Sequence, residues 1–211
     1  MERIGTVLPR DFYARDAAEV APCLLGKLLC RRTEQGLCAG MIVETEAYQG
    51  PLDDAAHSYG GRPTERTRVM YGPAGHAYVF SIYGMHSCLN AVTADIGQPQ
   101  AVLIRALEPM EGLALMEARR GTADPRLLCS GPGRLCQALG ITRAQNGLDL
   151  TGEELFIAEY RDYPKAGICV SPRVNIDYAT VYRDRLWRFF LKENPCVSAV
   201  PRRYAPRGIL E

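Results

Sequence analysis

The chain has 211 residues, 47% of them hydrophobic and 23% charged, with a formal net charge of +1. That length and balance suit one globular domain over residues 1–211, or at most two small ones, with a sizeable core. No apolar run approaches the ~20 residues needed to cross a bilayer, and the first residues lack the basic and apolar regions of a secretory signal, so a cytoplasmic protein is expected.

Positions 16 and 19 carry Asp and Glu at capping-box spacing before Val20, Leu24 and Leu25, with Gly26 as a stop, so a short helix is predicted there. Pro22 makes that helix irregular. Residues 27–32 and 37–48 form a hairpin pattern about a polar turn at 33–36. Residues 49–75, rich in Gly, Pro, Asp and Arg, read as a long functional loop. Strands at 77–82 and 87–93 are joined through Tyr83-Gly-Met-His86, where the glycine suits a tight turn. A strand at 101–107 is apolar except for Arg105. Helices are predicted at 109–120, with Met110, Leu113 and Met116 on one side, and at 130–139, with Ser130 as N-cap and Gly140 as stop. Strand-like pieces follow near 155–159, 167–170 and 187–191. Helices and strands do not alternate regularly, so the fold class is α+β with a mostly antiparallel sheet.

Cysteines stand at 23, 30, 38, 88, 129, 136, 169 and 196. No two make a C-x-x-C pair, and no histidine lies near a cysteine cluster at zinc-finger spacing. Free structural thiols are expected, Cys23, Cys30, Cys136 and Cys196 behaving as small hydrophobes, and no metal or cofactor. Of 25 basic residues only Lys27, Lys165 and Lys192 are lysines. Three of the arginines, Arg62, Arg66 and Arg68, crowd a Gly/Pro-containing loop. A solvated loop and a phosphate-contacting loop fit that pattern equally.

The strand Met41-Ile-Val-Glu-Thr-Glu-Ala-Tyr48 is the most informative stretch. Period-two alternation sets Ile42, Glu44, Glu46 and Tyr48 on one face and small or apolar residues on the other. A carboxylate beside a flat ring can hold a planar ligand and activate a water next to it. Arg105, flanked by apolar residues, is expected to be at least partly buried and to need a carboxylate such as Glu46. Two rival readings accompany this one. Glu44 and Glu46, ~6.6 Å apart along a strand, could be the acid/base pair of a sugar hydrolase, although they would sit side by side rather than across a bond. A non-catalytic nucleic-acid module could use the Arg loop and the aromatic hairpin, but leaves Glu46 and Arg105 unexplained.

Taken in order, Val43-Glu-Thr-Glu-Ala-Tyr48, Asp54-Ala-Ala-His-Ser58, Tyr83-Gly-Met85, Arg105 before Leu107-Glu-Pro109, and Cys129-Ser-Gly-Pro132 before Leu135-Cys-Gln-Ala-Leu139 resemble the alkyladenine (3-methyladenine) DNA glycosylases. The likeness runs from about Leu8 to Val200. It implies a single α+β domain with a curved antiparallel sheet that removes alkylated or deaminated purines from double-stranded DNA, as a monomer without cofactor, in the cytoplasm at the nucleoid.

By the same resemblance, Glu46 is the general base and Arg105 helps hold its water. Tyr48, His57 and Phe80 wall the base pocket, and the main chain at His57 reads the base edge. Asn90 stands against the 2-amino group of normal guanine, and Ile176 supplies a carbonyl to the water. Tyr83 enters the minor groove in place of the flipped nucleotide, and Arg62, Arg66, Arg68 and Met85 face the DNA backbone. Two departures stand out. Phe80 occupies a position where some members have Tyr, and Asn175-Ile-Asp-Tyr178 differs from the Gly- and His-containing version expected in animal members.

Overall fold

The computed structural model describes residues 4–82 and 84–210. Two short helices come first, α1 (Arg10–Tyr13) and α2 (Ala17–Cys23). The Asp16 side chain does not cap α2. It accepts a hydrogen bond from Gln100 Nε2 at 2.8 Å instead, so tertiary contact overrides the capping box. Cys23, at the end of α2, is exposed, unlike the other seven free cysteines, which are buried.

The predicted hairpin is β1 (Leu28–Thr33) and β2 (Gly36–Tyr48). A second hairpin, β3 (Ala77–Ile82) and β4 (His86–Thr93), leads to β5 (Gln100–Glu111). This last strand runs four residues beyond the predicted end, because β2 offers it partners: Gly40 lies opposite Pro109 and Ala39 opposite Glu111. The following helix, α3 (Leu113–Arg120), therefore starts after Gly112 rather than at Pro109. Gly112 has φ +75°, and an added Cβ there would collide with the Leu37 carbonyl oxygen, so only glycine makes this corner.

A one-turn helix, α4 (Pro125–Leu128), is capped by Asp124, and α5 (Pro132–Leu139) follows with Gly131 at its N-cap. Ser130, the expected cap, is instead bridged to Ala106 of β5. Four short strands complete the chain: β6 (Leu155–Ala158), β7 (Ile168–Ser171), β8 (Arg188–Leu191) and β9 (Gly208–Ile209).

Every strand pair is antiparallel, in the order β3-β4-β5-β2-β8-β7-β9, with β1 also on β2 and β6 beyond it. The fold is α+β, as the sequence implied. Alternation in β3, β4 and β5 divides the molecule. Ala77, Val79, Leu89, Ala91, Val102, Ile104 and Ala106 join the main core with α2 and α5. Tyr78, Val92 and Ala101 face the other way and pack with Met70 and Phe80. A third cluster holds Ala55, Ile176 and Ala179 against Tyr48.

The register breaks between β2 and β5 around Ile42–Thr45, so that Val43 and Arg105 are both passed over. Bulges of this kind bend a strand and re-aim a side chain. Ile42, expected on the Glu44 face, sits in the main core with Val43, and Arg105 turns toward the glutamates.

Candidate active site

The pairing register sets a row of side chains across six strands: Tyr78, Asn90, Leu103, Glu46, Arg188 and Ser171. Directly paired residues on neighbouring strands point to the same face. Beside this row a cavity of about 430 Å³ opens between the two smaller clusters, within the usual range of ~300–1,000 Å³ for small-ligand sites. Tyr48, His57, Phe80, Asn90, Arg105 and Ile176 all line it. These predicted site residues are thus gathered from four strands and two loops into one place.

One wall is aromatic. The His57 ring meets Phe80 edge-on at 4.5 Å, and Phe80 lies 5.5 Å from Tyr78. Arg66 Nη2 is 3.1 Å from His57 Nε2, and Tyr78 Oη is 2.9 Å from His57 Nδ1. A guanidinium can only donate, so His57 Nε2 accepts, and Nδ1 carries the proton and donates to Tyr78. Although His57 as a residue is exposed, partial burial of the ring and the Arg66 charge push its pKa down to about 4. The imidazole is neutral at pH 7.

The opposite wall is built on charge. Glu46 is 0% exposed. Its Oε1 accepts from the Val174 amide at 2.7 Å and lies 3.4 Å from Arg105 Nη1, and its Oε2 accepts from the Tyr48 hydroxyl at 2.9 Å. Those three partners belong to residues that line the cavity, with Glu46 immediately behind them. A carboxylate offers about four acceptor sites, so this arrangement leaves capacity for a water. Arg173 covers one face of the Tyr48 ring at 4.6 Å, leaving the other for a ligand.

Glu44 is equally buried but differently employed. Arg105 Nε donates to its Oε1 at 2.9 Å and Arg188 Nε at 2.6 Å, while the Ser198 amide and hydroxyl supply two more bonds. Burial raises its pKa, but Arg105, Arg188 and Ser198 outweigh that and hold it below the usual carboxylate range. The closest carboxylate to Arg105 is therefore Glu44 rather than the expected Glu46, which takes the second contact. With four donors occupying Glu44, it has no acceptor site or proton left to act as an acid/base partner of Glu46.

The chain from residue 11 to residue 195 matches the family model described as "Methylpurine-DNA glycosylase (MPG)". The chain belongs to the methylpurine-DNA glycosylase family. It is 46% identical over 203 residues to a Clostridium acetobutylicum protein named "Putative 3-methyladenine DNA glycosylase", covering 92% of this chain and 98% of that one. Proteins of the same name from Desulfitobacterium hafniense and Bacillus licheniformis are 47% and 49% identical, over 94% and 90% of this chain and 99% and 96% of theirs.

Within this methylpurine-DNA glycosylase family member, Tyr83 lies outside the described residues. Met85, near it, is 79% exposed. Arg62, Arg66 and Arg68 are all exposed, Arg68 paired with Glu65 at 2.8 Å and Arg66 lining the cavity. The Ile176 carbonyl accepts from the Ala179 amide at 2.9 Å. Sequence reasoning missed the Val174 amide, Met70, Pro132 and Tyr178, all contributed by loops or helix ends. It also missed the buried Asp53–Arg173 pair, whose two bonds of 2.6 and 2.8 Å tie the loop after β2 to the segment after β7. The signal was present for that pair: an Arg beside Pro172 and Val174, and an acidic doublet at 53–54. Among the described residues no group of three or more His, Cys, Asp or Glu is placed to hold a metal, and no helix is long and apolar enough to cross a membrane.

Proposed function

We propose that this DNA glycosylase flips alkylated or deaminated purines out of duplex DNA and hydrolyses the N-glycosidic bond with a water activated by Glu46. The observation that carries this reading is one cavity with an aromatic wall and, opposite it, a buried carboxylate held by Arg105, Tyr48 and the Val174 amide. A base inside a duplex cannot be reached, so extrusion at a cost of a few kcal/mol precedes chemistry. Tyr83, by resemblance, fills the vacancy and lowers that cost, while Arg62, Arg68 and Met85 face the backbone.

The flipped purine stacks between Tyr48 and the His57–Phe80 side. Asn90, whose Nδ2 is fixed on the Tyr78 carbonyl at 3.0 Å, stands against the 2-amino group of normal guanine. As the C1′–N bond breaks, its electron pair leaves with the base and positive charge grows on the sugar. The Glu46 carboxylate faces that charge and takes a proton from the water, whose oxygen bonds to C1′. Arg105 and the Ile176 carbonyl orient the water.

The enzyme is monofunctional in this scheme. Strand-cleaving glycosylases form a Schiff base through an amine, and none of Lys27, Lys165 and Lys192 lines the cavity. Lys27 is engaged with Glu159 and Asp162 at 2.5 and 2.6 Å. The chain acts as a monomer in the cytoplasm, at the nucleoid. Incubation with duplexes carrying one 3-methyladenine, hypoxanthine or ethenoadenine tests the reading. Release of the free base is expected, with the strand intact until alkali is added and no borohydride-trapped adduct. No release from any of the three would overturn it.

A further inference from the structure

We infer that Arg66 sets the lesion preference of the pocket, favouring neutral damaged purines over cationic ones. This rests on the glycosylase reading above. Two arginines line the cavity, Arg66 and Arg105. Arg105 is compensated by Glu44 and Glu46. Arg66 has no carboxylate partner among the described residues: its guanidinium lies 3.1 Å from the unprotonated Nε2 of His57 and 5.1 Å from the centre of the Phe80 ring. Burial of the His57 ring, and after it the Arg66 charge, keep that imidazole neutral. The base-stacking wall thus carries one uncancelled positive charge.

The two lesion classes respond to that charge in opposite ways. A neutral lesion, such as hypoxanthine, takes the bond pair and leaves carrying negative charge until it acquires a proton from water. Arg66 stabilises that developing charge. A purine alkylated at N3 or N7 enters as a cation and leaves neutral, so Arg66 opposes its binding and gains nothing as the bond breaks. Stacking on Tyr48 and Phe80 attracts a cation, and Arg66, 5.1 Å from the Phe80 ring centre, already draws on that ring's π-electrons and so weakens the attraction. The exposed side chain is partly screened, which sets the expected discrimination at roughly tenfold rather than several orders of magnitude.

Single-turnover excision of hypoxanthine and of 7-methylguanine, in duplexes of one sequence at fixed salt, tests this. In Arg66→Gln the hypoxanthine to 7-methylguanine rate ratio falls roughly tenfold from the wild-type value. Arg66→Lys, which keeps the charge, stays within about threefold of wild type. Thermal unfolding of both variants should match wild type, because Arg66 is exposed. An unchanged ratio would overturn the inference. In that case, equal slowing on both lesions with a salt dependence shallower by about one unit would make Arg66 a phosphate contact. If wild type releases neither of these lesions, nor 3-methyladenine or ethenoadenine, the glycosylase reading fails and this inference with it; wild-type excision with an invariant ratio sinks only the role of Arg66.

Discussion

Glu44 and Glu46 are two residues apart on one strand, both fully buried, yet their surroundings assign them different work. Glu44 anchors two buried arginines and a backbone amide. Glu44→Gln leaves those arginines short of a partner and should cost about 3–5 kcal/mol of stability, measured by urea unfolding. A loss below about 1 kcal/mol would show that the Arg105–Glu44–Arg188 network is not what holds this part of the sheet.

His57 carries the clearest pH dependence. Its pKa falls to about 4 on folding, from an ordinary value near 6.5. The unfolded chain therefore binds more protons in that window, and stability rises with pH from about 4 to about 6.5 and is flat above. The wild-type curve minus that of His57→Gln should isolate that slope. A His57 imidazole that titrates near 6.5 by NMR would contradict the hydrogen-bond assignment to Arg66 and Tyr78.

At the level of elements, the loop after β2 and the segment after β7 both line the cavity, and Asp53–Arg173 is the strut between them. Arg173 also donates to the Ala47 carbonyl and stacks on Tyr48 and Trp187. Arg173→Met leaves Asp53 buried without its cation and should destabilise by about 3–5 kcal/mol, with part of the loss recovered in Asp53→Asn/Arg173→Met. Calorimetry of the two variants measures this; equal losses in both would mean the pairing itself contributes little.

The strands were legible as short apolar runs bounded by turn residues, and the fold then sorts their faces: Tyr78 and Phe80 against Ala77 and Val79, Ala101 and Leu103 against Val102 and Ile104. Helix starts were not. Pro109 carries a helix-start signal, but it is held as a strand residue by Gly40, 69 positions away, and Ser130 is drawn off its capping role by Ala106. Local propensity loses to partners that only the fold brings near.

Across the whole molecule the site divides the same way. Glu46, Tyr48, Phe80, Asn90 and Arg105 ride on strands, and the sequence singled out each one as a candidate. Val174, Tyr178, Met70 and the place of Arg66 on the cavity come from irregular segments, where no periodicity reports which way a group faces. Even the bulge that aims Arg105 was hidden, since it needs β2 and β5 side by side.

The central claim is that Glu46 supplies the base. Glu46→Gln keeps an acceptor for the Val174 amide, and the Tyr48 hydroxyl can turn to accept from the new amide, so the site should fold and bind. Single-turnover excision of hypoxanthine, measured alongside duplex affinity, is the test. A rate loss of ~10²–10⁴-fold with binding largely intact is expected. Excision within about threefold of wild type would contradict it.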